Sequence, residues 1–178
     1  MIQPYFMKKN AFMCLAVLVT GIFVTSCNSD DGGDCLGDFT GALTENEQKL
    51  TGTWILSSIV SIEEVDITDD GEDNPSNNIY AQYSDCQKST FYTFNSDRTY
   101  QIGQSQSFEG CENVLTTEGT WQLSSQTLGM VRNCLLQNIV INFSADETNF
   151  YFSDNYTVTE VDGNTVQTDI TFTYTLTP

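Results

Sequence analysis

The sequence predicts an all-β domain: an antiparallel up-and-down barrel behind a short N-terminal helical turn, with a two-sheet β-sandwich as the alternative. Three observations predict it. In the last segment Val166, Ile170, Phe172, Tyr174 and Leu176 share one side while Asp169, Thr171, Thr173 and Thr175 share the other, a period of two that marks one dry and one wet face. Upstream lie further short runs rich in β-branched and aromatic residues, separated by short polar turns, for roughly eight or nine strands altogether. Closing such a meander on itself removes its exposed edges, whereas a sandwich would carry the same local pattern.

The elements follow in chain order. Thr44 with Glu47 three residues on is a capping-box pattern, so Glu45 to Leu50 forms one or two helical turns that Gly52 ends. Trp54 to Ile62 reads as the first strand; Thr90 to Phe94 and Arg98 to Gly103 flank an Asn95-Ser96-Asp97 turn. Thr116 to Leu123 and Thr127 to Val131 come next, and Gln137 to Phe143 places Ile139, Ile141 and Phe143 on one side. Asn149 to Ser153 and Tyr156 to Val161 read as two short strands, and Asp162-Gly163-Asn164 supplies the tight turn before the last one. Between the first two strands, Val65 to Ser84 is an acid-rich stretch, long for a loop in a compact domain.

The N-terminus is a targeting segment. Lys8 and Lys9 precede an apolar run from Ala11 to Val24, too short and too interrupted by Thr20 and Gly21 to span a membrane. Val24-Thr25-Ser26-Cys27 then resembles the lipobox of bacterial lipoproteins. That resemblance implies cleavage before Cys27 and acylation of its thiol, an anchor that needs no spanning helix. The segment Asn28-Ser29-Asp30-Asp31-Gly32-Gly33 is similar to the acidic tag of surface-exported lipoproteins of Bacteroidetes, and equally suits a flexible polar tether. The expected organisation is a signal peptide over 1–26, a lipidated tether over 27–43 and a barrel domain over 44–178, on the outer membrane and exposed at the cell surface.

Without Lys8 and Lys9, four of the 6 basic residues remain against 24 acidic ones, a formal charge of −20. Phosphate backbones are repelled by such a chain, so nucleic acid is excluded as a partner. An aromatic content of 12% argues for a folded body under that charge. There is no histidine, which removes Ser-His-Asp and Cys-His catalysis and histidine-ligated zinc or haem.

Cys14 leaves with the signal and Cys27 carries lipid, so Cys35, Cys86, Cys111 and Cys134 remain. In an oxidising compartment these predict two disulfides with three possible connectivities, and their spacing suits no thiolate metal site. Cys86 and Cys111 flank the hairpin from Ser89 to Ser105, which makes them the first choice and leaves Cys35 with Cys134.

Leu50-Thr51-Gly52-Thr53-Trp54 resembles the start of a lipocalin, where a helical turn leads into a first strand carrying Gly-x-Trp. Cys86-Gln87-Lys88, Tyr92-Thr93-Phe94-Asn95 with Asp97, Thr99 and Tyr100, then Cys111, then Gly119-Thr120-Trp121-Gln122-Leu123 are similar to lipocalin-like domains of Bacteroidetes lipoproteins. The resemblance runs from about residue 45 to Phe143. It implies a binding barrel without cofactor or catalysis, with Trp54 and Trp121 sealing the barrel end. No arginine follows Arg132 to stack on the first-strand Trp, and Asp154-Asn155-Tyr156 only loosely matches the second lipocalin motif. Gly52-Thr53-Trp54-Ile55-Leu56-Ser57-Ser58 also returns as Gly119-Thr120-Trp121-Gln122-Leu123-Ser124-Ser125, an internal repeat or a coincidence of two strands.

Three groups of residues carry the remaining chemistry. Tyr92, Phe94, Tyr100, Phe150, Phe152, Phe172 and Tyr174 either line a pocket for a small apolar or glycan-like ligand or pack a filled core. Asp66, Thr68 and Asp70, followed by Gly71, have the spacing of a calcium loop but lack its closing Glu, so a solvated loop without metal is expected. Glu63 and Glu64 offer carboxylates for a hydrolase, but neighbours on a strand face opposite ways and cannot flank one bond. The expected function is therefore non-enzymatic binding of a small ligand or an envelope protein, with a structural protein of filled barrel as the alternative and a carboxylate hydrolase behind both.

Overall fold

The computed structural model describes residues 36–105, 111 and 114–178. Contacts divide the chain into Met1–Gly33 and Asp34–Pro178, and every described residue belongs to the second unit. Cys27 with its signal, and Cys35, lie outside the described residues.

The domain is an antiparallel, nearly closed β-barrel with a few short helices. Its strands are β1 (Gly52–Val65), β2 (Ser76–Asn78), β3 (Phe91–Phe94), β4 (Thr99–Ser105), β5 (Val114–Ser124), β6 (Thr127–Arg132), β7 (Leu135–Val140), β8 (Asn142–Phe143), β9 (Asn149–Thr159) and β10 (Thr165–Leu176). The helical turns are α1 (Glu45–Gln48), α2 (Ile79–Gln82) and α3 (Asp85–Lys88). The sheet order is β7-β6-β5-β4-β3-β1-β10-β9-β8, with β2 beside β1 off this path. Most sequence neighbours are thus sheet neighbours, β7 and β8 standing at the two ends of the order, and the last strand returns to the first through Trp54↔Leu176 to Ser61↔Ile170. A bulge between Leu56 and Ser58 adds twist to β1. Its other edge pairs first with β3 and then with β2.

Successive turns of a meander fall at alternate ends, and the two ends differ. At one end the capping box forms as expected, with Glu47 N–H donating to Thr44 Oγ1 and Thr44 N–H to Glu47 Oε2. The same Glu47 carboxylate receives Arg98 Nη1 at 2.7 Å and Nη2 at 3.0 Å, while Arg98 Nε and Nη2 bond the carbonyls of Gly41 and Ala42. Burial opposes ionisation of Glu47, but Arg98 and the surrounding N–H donors outweigh it and hold the carboxyl down to about 2. Trp54 and Trp121 are both fully buried and face this end, their indoles donating to Leu50 O at 2.8 Å and Asn95 O at 3.2 Å.

Four expectations need correction. Gln137 to Phe143 is two strands, because the chain pairs with β6 up to Ile141, whose N–H continues that ladder to Gln126 O at 2.8 Å, and from Asn142 pairs with β9 instead. Asn149 to Val161 is one strand to Thr159, since Asp154 and Asn155 stay in register opposite Ile170 and Asp169. Val65 to Ser84 is not a bare loop: it holds β2 and α2, buries Ile79, and is tied down by Gln82, whose amide bonds Val65 O and the Ile67 N–H. Arg98 is not a strand residue but occupies the turn before β4 with φ 71°. Ahead of α1, Phe39 N–H donates to Thr120 Oγ1, and the carbonyls of Gly41 and Ala42 accept from Arg98.

Candidate functional site: the opening between β7 and β9

The order of the described strands ends at β7 on one side and β8 on the other. β9 meets β8 only through Asn142↔Tyr151 and Phe143↔Phe150, so beyond Tyr151 its outer edge has no strand partner among the described residues. β7 pairs with β6 alone. The chain turns at Ile141 from one lip of this opening to the other. Leu128, Met130 and Ile139 face the core, which places Leu135 and Gln137 in the inward row of β7. Leu135 is nevertheless 66% exposed, so the upper part of that lip faces an unfilled side.

Below the opening the interior is packed with rings. Trp54 meets Phe150 edge-on at 5.1 Å, Phe150 stacks on Tyr174 at 5.1 Å, Tyr92 meets Tyr174 edge-on at 4.9 Å, and Phe94 meets Trp121 at 5.3 Å. Such offset and edge-on geometries match the ring quadrupoles and fill volume closely. Of the seven aromatics named from the sequence, Tyr92, Phe94, Phe150 and Tyr174 form this floor and Tyr100 packs in the β4 wall. Phe152 and Phe172 stand above it, stacked on each other at 5.3 Å and only partly buried.

Tyr156 joins them, its ring 5.6 Å from Phe172. Tyr83, from the segment before α3, completes the group. Burial raises the hydroxyl pKa of Tyr92, Tyr174, Tyr156 and Tyr83, and mutual repulsion of their ionised forms adds to it for the first three. The Tyr92 and Tyr174 rings meet edge-on at 4.9 Å, and Tyr83 and Tyr156 pack against the same core. Asp154 lies in the same inward row, directly opposite buried Ile170 and between Phe152 and Tyr156. Sequence reasoning missed Tyr83, Tyr156 and Asp154 as members of one site; the period-two spacing of 152, 154 and 156 was the available signal.

The other named residues lie elsewhere. Cys86 and Cys111 form a disulfide with Cα atoms 5.1 Å apart, tying α3 to the β4–β5 connection. Cys134 is also disulfide-bonded. In the acidic loop Thr68 donates to Asp66 from both N–H and Oγ1, and Asn74 reaches Asp66 and Asp70. These bonds turn the calcium-like ligands onto one another, and the described residues contain no cluster of three or more metal-binding side chains. Glu63 and Glu64 are both exposed at the end of β1. A shallow hollow of about 350 Å³ lies on the outer wall, lined by Thr53, Ile55, Ser89, Phe91 and Thr93. No described helix is long and apolar enough to cross a membrane.

Fold and opening define a β-barrel domain with a packed floor and a lateral aromatic mouth. The model of a family described as a domain of unknown function (DUF5004) matches residues 28–177, and the chain belongs to that family. No curated protein and no solved structure matches it.

Proposed function

We propose that this chain is a lipid-anchored lipoprotein of the outer membrane, exposed at the cell surface, whose lipocalin-like barrel is a non-enzymatic binding domain. Its site is the opening between β7 and β9, and its ligand is a small apolar or glycan-like molecule. One observation carries this: Phe152, Tyr156 and Phe172 point inward yet stay partly exposed above a solid aromatic floor. Ligand sites are concave, mainly apolar and edged by a few polar groups, and tyrosine hydroxyls beside exposed rings meet that description. The site is shallow, because the floor rings occupy the depth a deep-pocket carrier would need. The anchor rests on the basic, apolar and Val24-Thr25-Ser26-Cys27 sequence.

Native mass spectrometry of the protein gently extracted from its own host tests both parts. The expected result is an acylated Cys27 and a retained small-molecule adduct that Phe172→Ala removes. A second reading is supported by Leu135, Leu136 and Val140, which are exposed on β7, the strand that ends the sheet order, and suit an envelope protein partner. Protein that arrives without an adduct, but with another envelope protein held at β7, would replace the first reading with that one.

A further inference from the structure

Asp154 is the exception in an otherwise aromatic and aliphatic row. Positions 150, 152, 156 and 158 of β9 are Phe, Phe, Tyr and Val, all packed on the core, and directly across from Asp154 stands buried Ile170. Beside burial, the carboxylate raises the hydroxyl pKa of Tyr156, and it accepts the N–H of the neighbouring Asn155 at 2.8 Å. The ion pairs of the described residues join Lys49 to Glu147 and Arg98 to Glu47, so Asp154 has no cation among them. The other two cations of the described residues are engaged with neutral partners. Lys88 lies over the Tyr80 ring at 5.4 Å, and Arg132, on β6 next to the opposite lip, is turned to Thr117 Oγ1 at 3.3 Å.

A negative charge set among half-exposed rings is the arrangement that attracts an organic cation. Ring faces draw the cation through their quadrupole, and the carboxylate supplies the balancing charge without being desolvated at the bottom of a pocket. The net charge of −18 adds a long-range attraction for positive ligands and a repulsion for anions. We infer that the opening binds a small organic ammonium compound, its cationic head held by Asp154 and the rings of Phe152, Tyr156 and Phe172. An inward charge on an exposed strand edge also discourages edge-to-edge aggregation, but that role needs no aromatic neighbours and makes no distinction among ligands.

The inference rests on the binding role proposed for this opening, and the test separates the two. Choline and its uncharged isostere 3,3-dimethylbutan-1-ol are titrated into the folded domain at low salt, with binding read from the ring resonances of Phe152, Tyr156 and Phe172. Choline is expected to shift those rings and to bind about tenfold or more tightly than the alcohol. Asp154→Asn should lose that preference, whereas Asp169→Asn, on the outward face and bonded to Asn155, should keep it. Equal binding of the two probes, or an unchanged preference in Asp154→Asn, overturns the cation assignment and leaves the site standing. Failure of both probes to move any of the three rings also overturns it, and together with the lack of a native adduct removes the binding role as well.

Discussion

Glu47 and Arg98, 51 residues apart in sequence, form a two-pronged ion pair in which Arg98 is 4% and Glu47 1% exposed. Each does a second job: Glu47 caps α1 and accepts the Leu123 N–H, while Arg98 gathers the carbonyls of Gly41, Ala42 and Trp121. The pair joins the segment before the barrel, the β3–β4 turn and β5 into one closed end.

Removing one partner leaves the other charge buried and uncompensated. Arg98→Met and Glu47→Gln should each cost about 3–5 kcal/mol in urea unfolding. The double variant should cost clearly less than the sum of the two, and strict additivity would show that the pair does not act as a unit.

The pH dependence has a definite sign. Glu47 titrates near 4.5 when unfolded and at about 2 when folded, so its stabilisation is complete above pH 4.5 and is lost as pH falls toward 2, by roughly 3 kcal/mol. Asp66, Asp97 and Asp146, held below their usual range by turn hydrogen bonds, move in the same direction. Acid unfolding followed by circular dichroism should begin below pH 4.5, and Glu47→Gln should flatten that limb.

Gly119 is required by close approach. A β-carbon there would lie 2.1 Å from the Val131 carbonyl oxygen, which is backbone and cannot swing aside, whereas at Gly129 the nearest atom is the end of the Asn138 side chain at 3.3 Å. Gly119→Ala should lower stability by about 1–3 kcal/mol and Gly129→Ala by much less. Thermal melts of the two variants decide it.

The Cys86–Cys111 bridge spans a sequence separation of 25 residues. Replacing both cysteines by serine should cost about 3 kcal/mol, chiefly by freeing the unfolded chain. Because the bridge lies in the connections and not under the floor rings, the near-ultraviolet dichroism of the folded variant should remain native.

Much of the barrel was legible because its signal is local. The last strand alternates between wet and dry faces, and the Thr44 and Glu47 spacing announces α1. What failed was long-range or disguised. Asp154-Asn155 has turn composition, yet pairing with Ile170 and Asp169 holds it in a strand. The acid-rich composition of Val65 to Ser84 hid Ile79 and Gln82, two residues that fasten it to the barrel. Arg98 looked like a strand start, and nothing near it in sequence points to Glu47. The opening could not be read at all, since it depends on where the chain after β7 changes partner from β6 to β9.

The central claim is a barrel solid below and open above, and fluorine NMR tests it most directly. With fluorinated phenylalanine incorporated and assigned by single replacements, the solvent isotope shift between light and heavy water reports which rings touch water. Phe152 and Phe172 should show a clear shift and Phe94 and Phe150 almost none. Equal protection of all four rings would mean a sealed interior and would contradict the account.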